Sequence, residues 1–368
     1  MTKRILQFGT SRFLQAHVDL FVHEARLAGQ DIGPITVVKT TAGGARAGRV
    51  EAFGKPEGFP VHIRGLKDGV AVDEIVTVQS VSRALTAEQD WAALVHIFVH
   101  ETEIVVSNVG DAGYALQSGG GVRPDIADTA PAGFVSKLLA LLLRRFEAGG
   151  APLLILPCEL ISNNGQVLRQ LLKGLSDDWA LSVEFKAWLA GSVVICDTLV
   201  DRIVSEALEP IGAVGEPYAL WAIQRAPGFE VPFIHPAVVI TDALEPYLRL
   251  KLHILNLGHT YLAGIWKSQG RPPGEFVREI LSDPAIRNGL LDLYGREIIP
   301  GFAAHGMEEE AGRYMAMTLE RFDNPYLNHR ISDIFENHAI KIERRARDFV
   351  RWVRNRNSNV SFPQLEAL

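Results

Sequence analysis

Apolar residues follow two rhythms along this chain. In the first part they come as short, nearly unbroken runs: Ile5, Leu6 and Phe8, then Ile35, Val37 and Val38, then Ile104 to Ser107, Leu153 to Leu156, and a weaker run at Val193 to Cys196. Helical spacing fills the gaps at Phe13 to Ala28, Ala87 to His100 and Phe134 to Phe146, while Asp31 to Pro34 reads as a loop. Apolar strands alternating with helices predict a parallel sheet covered on both faces. The stretch Ala42 to Ser80 holds several glycines and alternates at Val61, Ile63, Val70 and Val72, which predicts an inserted β-ribbon.

After about residue 215 the texture changes. Two strand-like runs, Tyr218 to Gln224 and Ile234 to Ile240, lead into helical patterns at Pro246–Ser268, Pro273–Leu281, Ile286–Leu293, Met307–Arg321 and Ile331–Val353. The expectation is an α/β domain over residues 1–215 and a mostly α-helical domain over 216–368. A length of 368 residues suits two or three domains of about 150 residues each.

Composition narrows the function classes. Apolar residues at 47% and charged residues at 22% describe a folded globular chain rather than a disordered one. Lys and Arg number 37 against 43 Asp and Glu, and a net charge of −6 argues against non-specific nucleic-acid binding. Cys158 and Cys196 are too few for a disulfide framework or a cysteine zinc site. Apolar runs such as Leu138 to Leu143 fall far short of the roughly 20 residues that span a bilayer, and the amino terminus lacks a signal-type run. The expectation is a soluble, cytoplasmic protein with no membrane partner.

Three segments could carry chemistry. Gly9-Thr10-Ser11-Arg12-Phe13 follows the first strand, where a glycine and a helix start can receive a pyrophosphate. It holds one glycine where the usual fingerprint has three, so it also suits a generic strand–helix turn. Pro157-Cys158-Glu159-Leu160-Ile161-Ser162-Asn163-Asn164-Gly165 lies beyond a strand's carboxyl end, where α/β sheets bind ligands, though Asn-Gly is also a common turn pair. Lys251, Asn256 and His259 form the third. At about 100° per residue, Asn256 lies about 140° and His259 about 80° from Lys251, within one broad arc. A lysine among Leu252, Ile254, Leu255 and Leu257 would be partly desolvated, which favours its neutral form and suits a general base for an alcohol. Asparagine and histidine beside it could stabilise and orient the same oxygen. The three residues would equally suit a snorkelling lysine with a core-satisfied histidine and asparagine.

Taken together, these segments resemble the mannitol dehydrogenase family of polyol-specific long-chain dehydrogenases. The signature Lys-x4-Asn-x2-His is matched by Lys251, Asn256 and His259. Further blocks are Gln7-Phe8-Gly9 with Phe13-Leu14, Ile63-Arg64-Gly65-Leu66, Pro157 to Ile161 with Asn164-Gly165, Thr198 to Val204, and Arg321-Phe322 with Asn324-Pro325-Tyr326 and His329. Within the family the likeness is greatest to the branch acting on keto-sugar acids. Leu248 stands where mannitol 2-dehydrogenases carry a glutamate; the sister activities on fructuronate, mannitol or mannitol 1-phosphate stay open alternatives, with a non-catalytic nucleotide-binding protein the remote one.

The resemblance implies a Rossmann-type amino-terminal domain and a helical carboxy-terminal domain like that of 6-phosphogluconate dehydrogenase. It implies metal-independent hydride transfer between NAD, with NADP left open, and a sugar alcohol or sugar acid. By resemblance, Lys251 is the catalytic lysine, Asn256 and Asn164 hold the oxyanion, and His259 contacts the reacting hydroxyl. Gly9, Thr10, Ser11, Arg12, Phe13, Lys39, Ser107 and Asn108 would line the cofactor, and Asp201, Arg202, Arg321 and Lys341 the substrate. The second strand ends Val38-Lys39-Thr40 without the acidic residue that commonly holds the NAD ribose. Lys341 opens a basic stretch, with Arg344, Arg345, Arg347, Arg351, Arg354 and Arg356, read mainly as a solvated helix face. The expected partners are a small-molecule substrate and, at most, copies of the chain in a small homo-oligomer, monomer included.

Overall fold

The computed structural model describes residues 3–41, 47–115, 129–357 and 359–368. They fall into two compact units. The first comprises Met1–His62, Ile75–Gly215 and Ala219–Leu244; the second comprises Ile63–Glu74, Glu216–Tyr218 and Glu245–Leu368. Among the described residues, no helix is long and apolar enough to cross a membrane.

In chain order the strands are β1 (Lys3–Phe8), β2 (Ile32–Lys39), β3 (Phe59–Lys67), β4 (Val70–Val78), β5 (Val81–Thr86), β6 (Ile104–Ser107), β7 (Leu153–Pro157), β8 (Val193–Ile195), β9 (Thr198–Asp201), β10 (Val204–Ala207), β11 (Ala213–Gly215), β12 (Leu220–Gln224) and β13 (Val238–Thr241). The main sheet runs β5-β2-β1-β6-β7-β8, and its pairings are parallel. Counting its own strands only, this is the order 3-2-1-4-5-6 of the Rossmann fold, which reverses direction between β1 and β6. Ile5, Leu6, Gln7 and Phe8 are all buried, as expected where helices cover both faces. The apolar run Leu138 to Leu143 lies in the helix Phe134–Glu147 and is buried throughout. Arg145, in the last turn of that helix, is buried as well. Its guanidinium donates to the carbonyls of Phe98, Ala151 and Pro152, which replaces the water it gives up.

Two smaller sheets, β10-β11-β3-β4 and β13-β12-β9, complete the strands. The expected ribbon is the β3–β4 hairpin, but a helix, Ala47–Phe53, precedes it where only ribbon was expected. Phe53 meets the ring edge of Phe59 at 5.6 Å, a tertiary contact that favours the helix. Residues 42–46 of that stretch lie outside the described residues.

The second unit is helical, and its helices are interrupted. The pattern Pro246–Ser268 becomes Glu245–Leu250, a π turn at Lys251–Asn256, and Leu257–Ser268. Further π turns occur at Tyr294–Ile298 and Glu343–Arg347, and one lies in the first unit at Gln15–Asp19. The pattern Ile331–Val353 breaks at Asn337, which takes a left-handed φ of 54°, a conformation asparagine tolerates. Ile254, Leu255, Leu257 and Leu262 pack with Leu290, Tyr294, Phe302 and Phe349 in one core.

Two π turns each hold a buried imidazole. His17 Nε2 donates to the Leu220 carbonyl at 3.0 Å. His253 Nδ1 donates to the Arg345 carbonyl at 2.9 Å, and its Nε2 accepts from Arg249 at 3.1 Å, tautomers that the partners dictate. Burial, ahead of every other influence, lowers His17 to about 3 and His253 to about 4. Both stay neutral in the fold and take a proton on unfolding below about pH 6.5. Their contribution to stability is therefore complete above the ordinary histidine range and is lost as pH falls from 6.5 toward 4. His253→Gln is expected to lower stability at pH 8 and to flatten the acid decline. Urea midpoints measured between about pH 4.5 and 8 test this, and parallel slopes in wild type and variant would contradict it.

Candidate active site

At the strand-order reversal, the chain leaves β1 through Gly9, whose φ is +118°. A Cβ there would lie 2.4 Å from the Asn108 carbonyl oxygen, so only glycine fits. The helix begins at Arg12 and is capped by Ser11, whose Oγ accepts the Leu14 N–H at 3.2 Å and donates to Asn108 Oδ1 at 2.9 Å. Serine in the second glycine position thus closes the turn. Asn108 Nδ2 continues to the Cys158 carbonyl at 2.7 Å, which ties together the carboxyl ends of β1, β6 and β7. Thr10 and Phe13 are half-buried, Arg12 is exposed, and Lys39 is buried at the end of β2. A glycine cradle leading to a capped helix start at this reversal fits the phosphates of a dinucleotide.

Beside it lies a residue to which the sequence pattern assigns no role. Glu159 is buried and accepts from Ser107 Oγ at 3.1 Å, the Val109 N–H at 3.1 Å and Tyr114 Oη at 3.0 Å. Burial raises its carboxyl group above the usual range, while these three donors pull the other way. The signal in the sequence was a lone acid two residues past an apolar strand, which without the fold reads as an exposed turn residue.

Asn164 differs from expectation. It is fully buried, and its Nδ2 lies 3.2 Å from the Pro157 carbonyl, 3.1 Å from that of Glu159 and 3.2 Å from that of Thr198. Its Oδ1 accepts from the N–H groups of Gly165 and Thr198. An amide so engaged holds the end of β7 against β9 and has no hydrogen left for a substrate oxygen.

Lys251 and Asn256, both half-buried, sit at the two ends of the π turn. A π turn closes with bonds between residues five apart, shown by the Leu257 N–H reaching the Leu252 carbonyl. Asn256 therefore returns to the face of Lys251, in place of the 140° offset that α-helical winding gives. Among the described residues the Asn256 side-chain amide has no hydrogen-bond partner. Its backbone carbonyl accepts from Thr260 Oγ1 at 3.1 Å and from Arg345 at 3.0 Å. His259 is buried, with its ring 4.5 Å from that of Phe322 and 4.8 Å from that of His329. Burial lowers His329 below the ordinary histidine value.

The expected substrate cations are placed differently from one another. Arg202, in the first unit, donates to the Ala16 carbonyl in the π turn there, and Asp201 is buried in β9. Arg321 forms a buried, bidentate pair with Glu216, with Nε to Oε2 at 3.0 Å and Nη2 to Oε1 at 2.8 Å, and lies over the Tyr218 ring. Lys341 is half-buried and donates to the Ile334 carbonyl at 2.7 Å; burial first, and then Arg345, lowers it. Within the basic stretch, Lys341 and Arg345 are half-buried while Arg344, Arg347, Arg351, Arg354 and Arg356 are exposed, so the solvated-face reading holds for those five. Among the described residues no three His, Cys, Asp or Glu side chains gather as a metal ion would need.

Glu216→Gln leaves the Arg321 charge buried and uncompensated. The variant is expected to lose about 3–5 kcal/mol of stability in urea unfolding, and an unchanged midpoint would show that the pair is not structural.

Two family models cover almost the whole chain: the mannitol dehydrogenase Rossmann domain matches residues 3–231, and the mannitol dehydrogenase C-terminal domain matches residues 243–366. Altronate oxidoreductase of Halalkalibacterium halodurans is 29% identical over 94% of this chain and 70% of its own length. That of Klebsiella pneumoniae is 31% identical over 93% of this chain and 73% of its own. Among solved structures, a D-sorbitol dehydrogenase in substrate-free form superposes with a TM-score of 0.78 at 20% identity, covering 94% of this chain and 75% of that one. Pseudomonas fluorescens mannitol 2-dehydrogenase, in a ternary complex with NAD and D-mannitol, gives 0.71 at 19% identity over 95% and 75%. The chain belongs to the mannitol dehydrogenase family.

Proposed function

We propose that this chain is an NAD-dependent oxidoreductase that interconverts a keto-sugar acid and its alcohol, of the tagaturonate–altronate type. The observation that supports the reading is the π turn, which has Lys251 and Asn256 at its two ends and, among the described residues, no hydrogen-bond partner on the Asn256 side-chain amide. Two altronate oxidoreductases, similar along most of their length, support the substrate class.

In this reading Gly9, Thr10, Ser11, Arg12 and Phe13 receive the dinucleotide phosphates, and Lys39, Ser107 and Asn108 line its further course. The bound dinucleotide supplies or takes the hydride. Asn256 donates a hydrogen bond to the substrate carbonyl oxygen as negative charge grows there. Lys251 gives that oxygen a proton in reduction and takes one from the hydroxyl in oxidation. His259, its ring fixed by Phe322, orients the same oxygen. Asn164 shapes the loop after β7, since its hydrogens are engaged. Lys341 is the cation assigned to the substrate carboxylate, because Arg321 is neutralised by Glu216 and Arg202 braces the first unit. Lys39, buried at the end of β2, stands where an acidic residue commonly holds the NAD ribose, so NADPH is assayed beside NADH.

Lys251→Ala is expected to lower kcat by about 10²–10⁴, with KM for NADH little changed, and wild-type turnover would remove the proton-transfer role. Assays of tagaturonate, fructuronate, fructose and fructose 6-phosphate, each with NADH and NADPH, test the substrate. The highest kcat/KM is expected for tagaturonate with NADH; a neutral sugar or a sugar phosphate turned over better would reassign the enzyme to a sister activity.

A further inference from the structure

The π turn that aligns Lys251 and Asn256 is bound to a second one, 89 residues further along. Arg345 lies in the π turn Glu343–Arg347, and its Nη1 bridges two oxygens: the Asn256 carbonyl at the end of the first turn at 3.0 Å, and Thr260 Oγ1 in the helix Leu257–Ser268 that continues it at 2.8 Å. Thr260 Oγ1 itself donates to that carbonyl at 3.1 Å. In the other direction, the Arg345 carbonyl accepts from His253 Nδ1 at 2.9 Å, and His253 belongs to the first π turn. Each widened turn therefore offers a carbonyl, and a side chain of the other turn satisfies it. Arg249 closes the loop by donating to His253 Nε2, which leaves Nδ1 as the donor toward Arg345.

The arrangement has a chemical consequence. π turns are rare, and a helix with nothing to hold one open winds as an α-helix. α-Helical winding would turn Asn256 about 140° away from Lys251. We propose that Arg345 is a positioning residue of the dehydrogenase: its guanidinium, clasped to the Lys251–Asn256 turn, keeps the amine and the amide on one face. The proposal rests on the reading that Lys251 and Asn256 act on the substrate. Arg345 is half-buried, and burial lowers it to about 10, so it remains a cation at neutral pH. A lysine there keeps the charge but gives up the rigid planar fork.

The test uses the whole enzyme with its keto-sugar acid and NADH. Arg345→Ala is expected to lose kcat about 10²-fold while KM for NADH stays within about twofold, because the defect is one of alignment rather than cofactor binding. Millimolar guanidinium should restore part of that kcat, and Arg345→Lys should fall between variant and wild type. Thr260→Val, which removes one of the two bridged oxygens without touching a charge, should lower kcat several-fold and leave the NADH KM alone. If Arg345→Ala does not fold, Arg345→Lys and Thr260→Val decide. Wild-type kcat in both overturns the proposal, as does a loss in Arg345→Ala that guanidinium leaves unchanged. Lys251→Ala, run in parallel, separates the two levels: an inactive Lys251→Ala beside fully active Arg345 and Thr260 variants rejects the positioning role alone, and an active Lys251→Ala rejects the underlying reading.

Discussion

A helix that takes an extra residue into one turn must be held there, and that requirement shapes the second unit around Lys251. Within the π turn the Ile254 carbonyl accepts from Tyr294 Oη at 2.8 Å, and at its end the Asn256 carbonyl accepts from Thr260 and Arg345. Tyr294 can come this close only because residue 258 is glycine: a Cβ there would lie 2.1 Å from its hydroxyl oxygen. The first unit uses the same device, since the π turn Gln15–Asp19 has its Ala16 carbonyl held by Arg202. In both places an arginine substitutes for water at a carbonyl that burial would otherwise leave wanting.

The carboxyl ends of the main-sheet strands are governed by a related rule, that buried polar groups must find partners. Glu159, Asn164 and Asn108 between them link the loops after β6 and β7 to the helix start at Ser11 and to β9. A network satisfied at this level resists rearrangement, because moving any member strands a polar group in the interior. Rigidity at these loop ends suits a surface that must hold a dinucleotide in one pose.

Much of this architecture is legible in the sequence. The runs at Ile104 to Ser107 and Leu153 to Leu156 became β6 and β7, and the pattern Phe134 to Phe146 became one helix, because buried parallel strands and their covering helices carry unmixed apolar signals. Strand β5 carries no such signal because Arg83 and Thr86 dilute its pattern, and pairing with β2 is what makes it a strand. The helix Asn164–Asp178 buries only Leu168, Leu172 and Leu175 as large apolar residues, a stripe too narrow to stand out in a polar segment. The single pattern Ile331–Val353 hid a break, since Asn337 looks like any polar residue until its φ is seen.

The chemistry divides along the same line. Local sequence was enough for the fold class and the glycine at the first turn, since hydrophobic period, strand–helix alternation and backbone permissiveness are properties of short segments, and matched motif blocks along the chain carried the resemblance to the family. What each polar side chain faces was decided by tertiary structure. Arg321 looked available for a substrate until Glu216 appeared beside it, and Asn164 looked like a donor until three carbonyls surrounded its amide. The angle between Lys251 and Asn256 likewise depended on a π turn braced by Arg345, 89 residues from Asn256. Partners brought together over such distances leave no trace in local period or composition, because only the packed chain brings them within hydrogen-bond reach.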